Sequence, residues 1–135
     1  MRDRVFIDTN ILIYFISDDL KKKIKAKEIL FSEGEPVLSS QVINEFINAC
    51  LIKNLLKLDK VISLANKFMD ALEFSLVKET TIKKSLQIKK AYNYSYWDCL
   101  IIASALENNC ATLYTEDMQN GHVIENRLKI VNPFV

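Results

Sequence analysis

The sequence contains few of the residues that usually interrupt regular secondary structure. Among its 135 residues are only two glycines and two prolines. Because glycine and proline mark most turns and flexible linkers, their scarcity indicates closely joined elements, mostly helices, without an interdomain linker. Half of the residues are hydrophobic, which is enough to bury an ordinary core without metals or disulfides as staples. We therefore expect residues 1–135 to form a single domain.

Cysteine and histidine are too sparse for a zinc cluster. The three cysteines, Cys50, Cys99 and Cys110, are odd in number and include no Cys-x-x-Cys pair, and His122 is the only histidine. Structural zinc sites need several closely spaced thiolates or imidazoles, so the sequence gives no support for one. We expect three reduced, mostly buried thiols in a cytoplasmic protein, and His122 in a surface loop.

The sequence also lacks a long apolar run and a large net charge. No stretch of about 18 apolar residues is present, so we predict neither export nor membrane insertion. The 18 lysines and arginines nearly balance the 17 aspartates and glutamates, so net charge does not argue for a nucleic-acid partner. Such a partner would need local basic patches. The concentrated ones are Lys21 to Lys27 and the group Lys83, Lys84, Lys89 and Lys90.

Short apolar segments alternate with helical patterns along the chain. Strands are predicted at residues 5–8, 36–39, 74–77, 111–115 and 128–131, and helices begin near residues 10, 21, 40, 59, 80 and 97. Strands separated by helices predict a parallel sheet with helices on both faces. The predicted fold is a three-layer α/β/α sandwich around a mostly parallel sheet of four or five strands.

Four carboxylates lie where such a fold usually places chemistry. Asp8 ends the first strand, and Asp117 follows a later one. Loops after parallel strands emerge at one edge of the sheet, so these two should meet there. Asp98 could join them from a helix N-terminus, and Glu45 from one turn into its helix. Taken singly, Asp8 and Asp98 could be helix caps and Glu45 part of a structural ion pair, but the combination favours a site. Glu116 directly precedes Asp117; either could be the fourth acid, and we favour Asp117.

A cluster of carboxylates needs a cation. Neighbouring carboxylates repel and raise one another's pKa, which is unfavourable unless a cation neutralises them. With oxygen ligands alone, Mg²⁺ or Mn²⁺ is expected, and zinc is disfavoured. An ion held by two or three carboxylates and water could lower the pKa of a bound water and stabilise a phosphodiester displacement. Hydrolysis of a nucleic-acid backbone is the natural reaction.

The acids and their neighbours resemble the PIN-domain nucleases, in particular the VapC-like ribonuclease toxins of type II toxin-antitoxin modules. Four segments spread over nearly the whole chain carry the resemblance: Phe6-Ile7-Asp8-Thr9-Asn10, Ser39 to Phe46, Tyr96-Trp97-Asp98 with Ile102-Ala103-Ser104-Ala105, and Leu113 to Met118. The resemblance implies that four acids surround one or two Mg²⁺ or Mn²⁺ ions: Asp8, Glu45, Asp98 and Asp117. It also implies that Thr9, Asn10 and Thr115 orient the site by hydrogen bonds, with Glu116 as a supporting residue.

The function implied by the resemblance is that of a metal-dependent endoribonuclease, the toxin of a toxin-antitoxin pair. A homodimer silenced by a small antitoxin protein is implied as well, and the apolar residues Ile13 to Ile16 could form an interface. The alternative is a non-catalytic PIN-fold module that binds RNA or a partner, although such a module would be expected to lack one or more acids. A phosphatase with Asp8 as nucleophile is disfavoured, because Asn10 replaces the second aspartate. Tyr96 and Trp97 are interpreted as packing residues rather than base-stacking platforms.

Overall fold

The computed structural model describes residues 2–31 and 34–135. The strands are β1 (Arg4–Ile7), β2 (Glu35–Ser39), β3 (Glu73–Ser75), β4 (Thr112–Tyr114), β5 (Val123–Ile124) and β6 (Leu128–Val131). The helices are α1 (Thr9–Phe15), α2 (Leu20–Phe31), α3 (Ser40–Ile52), α4 (Leu58–Ala71), α5 (Glu79–Ala91) and α6 (Tyr96–Glu107). Across these residues the strands form one sheet in the order β3-β2-β1-β4-β6-β5. All neighbouring strands are parallel except β5 and β6.

The predicted fold class is confirmed, but the described residues form six strands rather than four or five. The strand without a predicted counterpart is β5, which pairs antiparallel with β6 and is only two residues long. Its turn has positive φ angles at Glu125 (52°) and Asn126 (58°), as a type I′ hairpin turn requires. Such turns usually carry Asn-Gly or Asp-Gly. Neither the strand nor the turn therefore has a readable sequence signal.

The direction of the chain crossovers places the helices on both faces of the sheet. From β1 to β2 to β3 the chain moves to one side, and after β3 it crosses back to β4 on the other side of β1. Parallel crossovers are right-handed, so α1 to α4 cover one face and α5 and α6 the other. The helix contacts agree with this division, since α1 packs on α2 and α3, α3 on α4, and α5 on α6. The predicted burial of α6 is confirmed from Cys99 to Leu106.

One expectation about α1 is wrong. Residues Ile13 to Ile16 do not form a free apolar surface, because they are partly buried and pack against the core. The Phe15 ring, for example, makes edge contacts with Phe31 and Phe68 at centroid distances of 6.0 and 5.7 Å. These residues therefore give no physical support for a dimer interface. The homodimer stays a prediction from the family resemblance.

The expected burial of the three cysteines is confirmed. Cys50, Cys99 and Cys110 are buried and free of disulfides. Burial raises the pKa of Cys110 to about 12, so its thiol stays protonated at neutral pH. None of the helices within the described ranges is both long enough and apolar enough to cross a membrane.

Candidate active site

A crevice opens where the chain changes direction, at the carboxyl ends of β1 and β4. β2 lies on one side of β1 and β4 on the other, which makes this place the switch point of the sheet, the usual ligand position in open α/β folds. Ile7 pairs in register with Tyr114, so the two strands end at the same level. The Asp8 amide donates to the Tyr114 carbonyl at 3.1 Å. The residues that follow both strands therefore face the same crevice.

Asp8 is the buried acid of the site. Its residue is only 6% exposed, and it is the N-cap of α1, where Oδ1 accepts a hydrogen bond from the Thr9 amide at 2.7 Å. Its Oδ2 accepts from the Thr115 hydroxyl at 2.6 Å. Burial nevertheless raises the pKa of Asp8 to about 6, and the charges of Glu45 and Asp117 contribute in the same direction. Asp8 is thus a helix cap and a member of a charged cluster at once.

Asp117 is connected to Asp8 through Thr115. The Thr115 hydroxyl that donates to Asp8 also accepts from the Asp117 amide at 3.2 Å. The Asn10 amide nitrogen donates to Asp117 Oδ2 at 3.2 Å, which fixes the carboxylate above the start of α1. Asn10 Oδ1, in contrast, is buried and has no hydrogen-bond partner among the described residues. A buried amide oxygen without a donor indicates that a water or a cation completes this position.

Glu45 and Asp98 approach from two further helices. Ser39 caps α3, and one turn into that helix Glu45 Oε1 accepts from the Thr9 hydroxyl at 3.3 Å. Ser95 caps α6 by accepting from the Asp98 amide at 3.2 Å, so the Asp98 carboxylate is not used as a helix cap. Partial burial raises the pKa of Asp98, and the charge of Asp117 raises it further. The pKa of Glu45 is raised by burial first and then by the charges of Asp98 and Asp117.

The structure places the four predicted acids within electrostatic reach of one another at this edge of the sheet. Each carboxylate interacts with at least one of the others: Asp8 with Glu45 and Asp117, and Asp98 with Glu45 and Asp117. Thr9, Asn10 and Thr115 lie between them and donate hydrogen bonds to Glu45, Asp117 and Asp8, respectively.

Glu116 has a different environment from its neighbour. The Tyr14 hydroxyl donates to its Oε1 at 2.6 Å, and Lys22 Nζ lies 3.3 Å from its Oε2. Lys22 also donates to the Tyr14 hydroxyl at 3.0 Å. The charge of Glu116 is therefore already balanced by a lysine, whereas Asp117 faces other carboxylates. This arrangement supports Asp117 over Glu116 as the fourth acid.

The crevice beside the acids is open and about 690 Å³ in volume. It runs between α1 and α3, from the carboxylates of Glu45 and Asp117 to Ile52 and Lys53 at the end of α3. Its size is comparable to that of pockets for small ligands, and its open shape suits a segment of a longer chain.

The donor set fits a hydrated divalent cation better than a fully caged one. Among the residues that the structure describes, no three acids, thiols or imidazoles are placed closely enough to hold an ion by themselves. All the donors present are oxygens, however, and Mg²⁺ typically binds one or two carboxylates while it keeps several waters. The unpartnered Asn10 Oδ1 and the raised carboxylate pKa values agree with a site completed by such an ion.

Sequence reasoning missed three contributors to this arrangement. Gln41, in the first turn of α3, donates to the Trp97 carbonyl at 3.2 Å and hydrogen-bonds to Glu45. Tyr14 and Lys22 hold Glu116. The i, i+4 spacing of Gln41 and Glu45 on α3 is a local signal for their contact. The contacts with Trp97 and Glu116 join parts of the chain that are distant in sequence, so no local pattern indicates them.

The predicted packing role of the two aromatic residues before Asp98 is half right. Tyr96 is partly buried, and its hydroxyl accepts from the Ser85 hydroxyl at 3.3 Å. For Trp97 the prediction is wrong, because its residue is 64% exposed. His122 is partly buried as well, and its Nδ1 lies 2.6 Å from the Tyr94 hydroxyl.

Comparison with solved structures shows the same fold in proteins of toxin-antitoxin systems. A toxin-antitoxin complex from Klebsiella pneumoniae has a TM-score of 0.70 at 18% identity, with 96% of this chain and 97% of that chain covered. VapBC2 from Rickettsia felis, bound to a DNA fragment from its promoter, has a TM-score of 0.67 at 21% identity, with coverages of 96% and 99%.

A third similar structure is VapC20 from Mycobacterium tuberculosis, described as a sarcin-ricin loop cleaving toxin. Its TM-score is 0.67 at 13% identity, with 84% of this chain and 91% of that chain covered. No curated protein matches the sequence. The PIN domain, in contrast, matches residues 5–121, which include all four acids of the candidate site. The chain therefore belongs to the PIN-domain family.

Proposed function

We propose that this chain is a metal-dependent endoribonuclease of the VapC type and the toxin of a toxin-antitoxin pair, with residues 1–135 as a single PIN domain. PIN-domain toxins of this type are nucleases and generally use divalent metal ions. The observation that carries the proposal is the convergence of Asp8, Glu45, Asp98 and Asp117 at the switch point of the sheet. Grouped carboxylates beside an open crevice suit the hydrolysis of a phosphodiester in a long chain.

In this proposal Asp8, Asp98 and Asp117 would hold Mg²⁺ or Mn²⁺, and Glu45 would bind the ion or help to position a water. When bound, the ion supplies a water of lowered pKa and stabilises negative charge on the phosphate. The chain itself supplies orientation. The Thr115 hydroxyl and the Thr9 amide fix both oxygens of Asp8, so their remaining lone pairs have a defined direction.

Two further hydrogen bonds orient the other acids. The Asn10 side-chain amide donates to the Asp117 carboxylate, and the Thr9 hydroxyl donates to Glu45. Glu45 is exposed and lines the crevice, which suits a group that accepts a hydrogen bond from an attacking water.

The proposed substrate is RNA, and its phosphates need cations near the acidic site. Lys53 lines the crevice and is the lysine best placed to contact them. Several lysines of the predicted basic patches are already engaged: Lys22 pairs with Glu116, and Lys84 pairs with Glu125 at 2.8 Å. RNA binding in this proposal thus depends on few cations. Its substrate class is supported by the similar fold of a toxin that cleaves the sarcin-ricin loop.

The proposed partners are a small antitoxin protein and a second copy of the chain, in the cytoplasm. Complexes with antitoxins among the structurally similar proteins support the first partner. The homodimer is an expectation from the family resemblance. Light scattering of the purified protein at micromolar concentration tests it, and a monomer would contradict it.

The experiment that tests the proposed activity is RNA cleavage with Mg²⁺ or Mn²⁺, with and without chelator, in the wild type and the variant Asp8→Asn. Asp70→Asn, an exposed aspartate on α4, is the matched control. The proposal expects chelator-sensitive cleavage that Asp8→Asn abolishes and Asp70→Asn retains. Cleavage that survives in Asp8→Asn would remove Asp8 from the mechanism.

The alternative is a PIN-fold module that binds RNA or a partner without catalysis. The observation in its favour is that no ready-made ligand set is found within the described part of the chain. Manganese titration separates the two functions, because a non-catalytic module should bind RNA without taking up Mn²⁺ and should be insensitive to chelator.

A further inference from the structure

An exposed tryptophan lies directly beside the carboxylate site. Trp97 is the only tryptophan in the sequence, and its residue is 64% exposed. The rest of α6 is the most deeply buried helix segment, from Cys99 to Leu106. Large aromatic side chains usually bury most of their surface, so an indole left open at the start of an otherwise buried helix needs an explanation.

The backbone that carries this indole is held in place from several sides. The Ser95 hydroxyl caps the helix by accepting from the Asp98 amide, and Gln41 donates to the Trp97 carbonyl at 3.2 Å. The Tyr96 ring meets the indole edge to face at a centroid distance of 5.5 Å. The backbone of Trp97 is thus fixed at the start of α6, and its indole has a neighbouring ring on one side and is largely exposed on the other.

Its position relates it to two acids of the site. Asp98 is the next residue, and adjacent Cα atoms are only about 3.8 Å apart. Gln41, which holds the Trp97 carbonyl, also hydrogen-bonds to Glu45. The Trp97 backbone therefore lies next to Asp98 and is linked to Glu45 through Gln41, and its exposed indole starts from this position. A nucleotide whose phosphate lies at the acids can place its own base, or the next one, on the indole.

The negative charge of the site opposes RNA binding, so a contact that does not depend on charge would add affinity. Four carboxylates repel a phosphate backbone, and Lys22 and Lys84 already pair with acids. Stacking of a base on an aromatic ring adds affinity that does not depend on charge and tolerates any base. It requires a base that is not engaged in a duplex.

We propose that Trp97 stacks on an unpaired base of the RNA next to the scissile phosphate, and so selects RNA that is single-stranded or has a splayed base at the cleavage site. This inference rests on the proposed nuclease function and names its substrate class. Trp97 is a binding and specificity residue here and takes no part in the chemical step.

The fluorescence of the only tryptophan tests the contact directly. In the Asp8→Asn background, which keeps RNA intact, we titrate an unstructured oligoribonucleotide and the same oligonucleotide paired into a duplex. A parallel anisotropy measurement with end-labelled RNA reports binding. We expect saturable quenching by the single strand and little by the duplex. Unchanged tryptophan fluorescence while anisotropy shows bound RNA would overturn the inference.

Variants separate stacking from a structural role. Trp97→Ala should weaken single-strand binding about tenfold or more, whereas Trp97→Phe, which keeps an aromatic face, should retain most of it. Phe31→Ala removes another exposed aromatic, on α2, and should leave RNA affinity unchanged. All three should retain the circular dichroism spectrum of the folded protein. Equal RNA affinity of Trp97→Ala and wild type would contradict the inference.

The outcomes also distinguish this inference from the proposed activity. RNA cleavage by the wild type with no effect of Trp97→Ala would leave the nuclease standing and remove the stacking. Quenching by RNA without any metal-dependent cleavage would overturn the nuclease and the inference that rests on it, and would leave only an RNA contact at Trp97. Absence of RNA binding would overturn both. Emission that shifts when the protein alone is diluted, and not with RNA, would assign Trp97 to an interface between copies and overturn the inference.

Discussion

Two neighbouring regions of the molecule treat their acids in opposite ways. On one side of the loop after β4, Glu116 is held by the Tyr14 hydroxyl and Lys22, and its charge is balanced. On the other side, Asp117 faces Asp8 and Asp98, whose pKa values are raised by burial and, to a smaller extent, by the charge of Asp117. Sequence neighbours thus differ because their partners come from distant parts of the chain. A balanced acid stabilises the loop, whereas an unbalanced group of acids is available to a cation.

Neutralising one acid from each region, Asp117 or Glu116, should give the largest difference in activity between them. Asp117→Asn should lower RNA cleavage by roughly 100-fold or more, because it removes a proposed metal ligand. Glu116→Gln should lower cleavage by less than about tenfold, because it removes only a support of the loop. Initial cleavage rates at saturating Mg²⁺ provide the measurement. Equal losses in the two variants would contradict the distinction between the regions.

The pH dependence of stability in the absence of metal tests the raised pKa of Asp8. The pKa of Asp8 is 3.8 in the unfolded chain and about 6 in the folded protein, so the folded state favours the protonated form. Protonated Asp8 therefore contributes up to roughly 3 kcal/mol to the free energy of unfolding. This contribution is fully present below about pH 4 and is lost as the pH rises through about 6.

Thermal melting in chelator should therefore show a lower melting temperature at pH 7.5 than at pH 5. Asp8→Asn should remove much of that difference, and Asp70→Asn should preserve it. A wild-type melting temperature that rises steadily from pH 5 to pH 7.5 would contradict the raised pKa.

The bridging hydroxyl of Thr115 offers a smaller test. It donates to Asp8 and accepts from the Asp117 amide, so Thr115→Val leaves both groups with one hydrogen bond fewer. We expect a loss of about 1–3 kcal/mol in the free energy of unfolding by denaturant, with weaker cleavage. Thr115→Ser keeps the hydroxyl and serves as the control. Thr115→Val with unchanged stability and activity would show that the bridge is unimportant.

The smallest effect on stability and cleavage is expected from a change beside Glu116, whose charge is balanced by Lys22. Tyr14→Phe removes the hydroxyl that joins Lys22 to Glu116 while the ring contact with Phe134 remains, at 4.6 Å between centroids. Because the Lys22–Glu116 pair persists and is partly exposed, we expect a loss of about 1 kcal/mol or less, and nearly normal cleavage. Denaturant unfolding measures the stability, and initial rates measure the cleavage. A loss of activity as large as that of Asp117→Asn would mean that the balanced region belongs to the site.

The sequence was sufficient to predict most of the fold, because long apolar elements carry strong patterns. The nearly continuous apolar run of α6 indicates a buried helix, and Val5 to Ile7 a buried strand, and both are found. The hairpin of β5 has too few residues for a pattern. The burial of Ile13 to Ile16 depends on contacts such as that of Phe15 with Phe68, which no local pattern encodes.

In the candidate site, too, contacts between residues that are distant in sequence could not be predicted. The rule that parallel strands end at one edge predicts that Asp8 and Asp117 meet, and in the structure the Thr115 hydroxyl joins the Asp8 carboxylate to the Asp117 backbone amide. The preference for Asp117 over Glu116 depends on Tyr14 and Lys22, about a hundred residues away in sequence. Exposure of Trp97 is likewise a property of the assembled helices.

Mn²⁺ binding to the wild-type protein and its single-acid variants, measured by electron paramagnetic resonance of free Mn²⁺, is the decisive experiment for a shared cation site. We predict that the wild type removes Mn²⁺ from solution, and that Asp8→Asn and Asp117→Asn each weaken binding at least tenfold while Glu116→Gln does not. Wild-type protein that takes up no Mn²⁺, or uptake that is the same in all variants, would contradict a shared cation site.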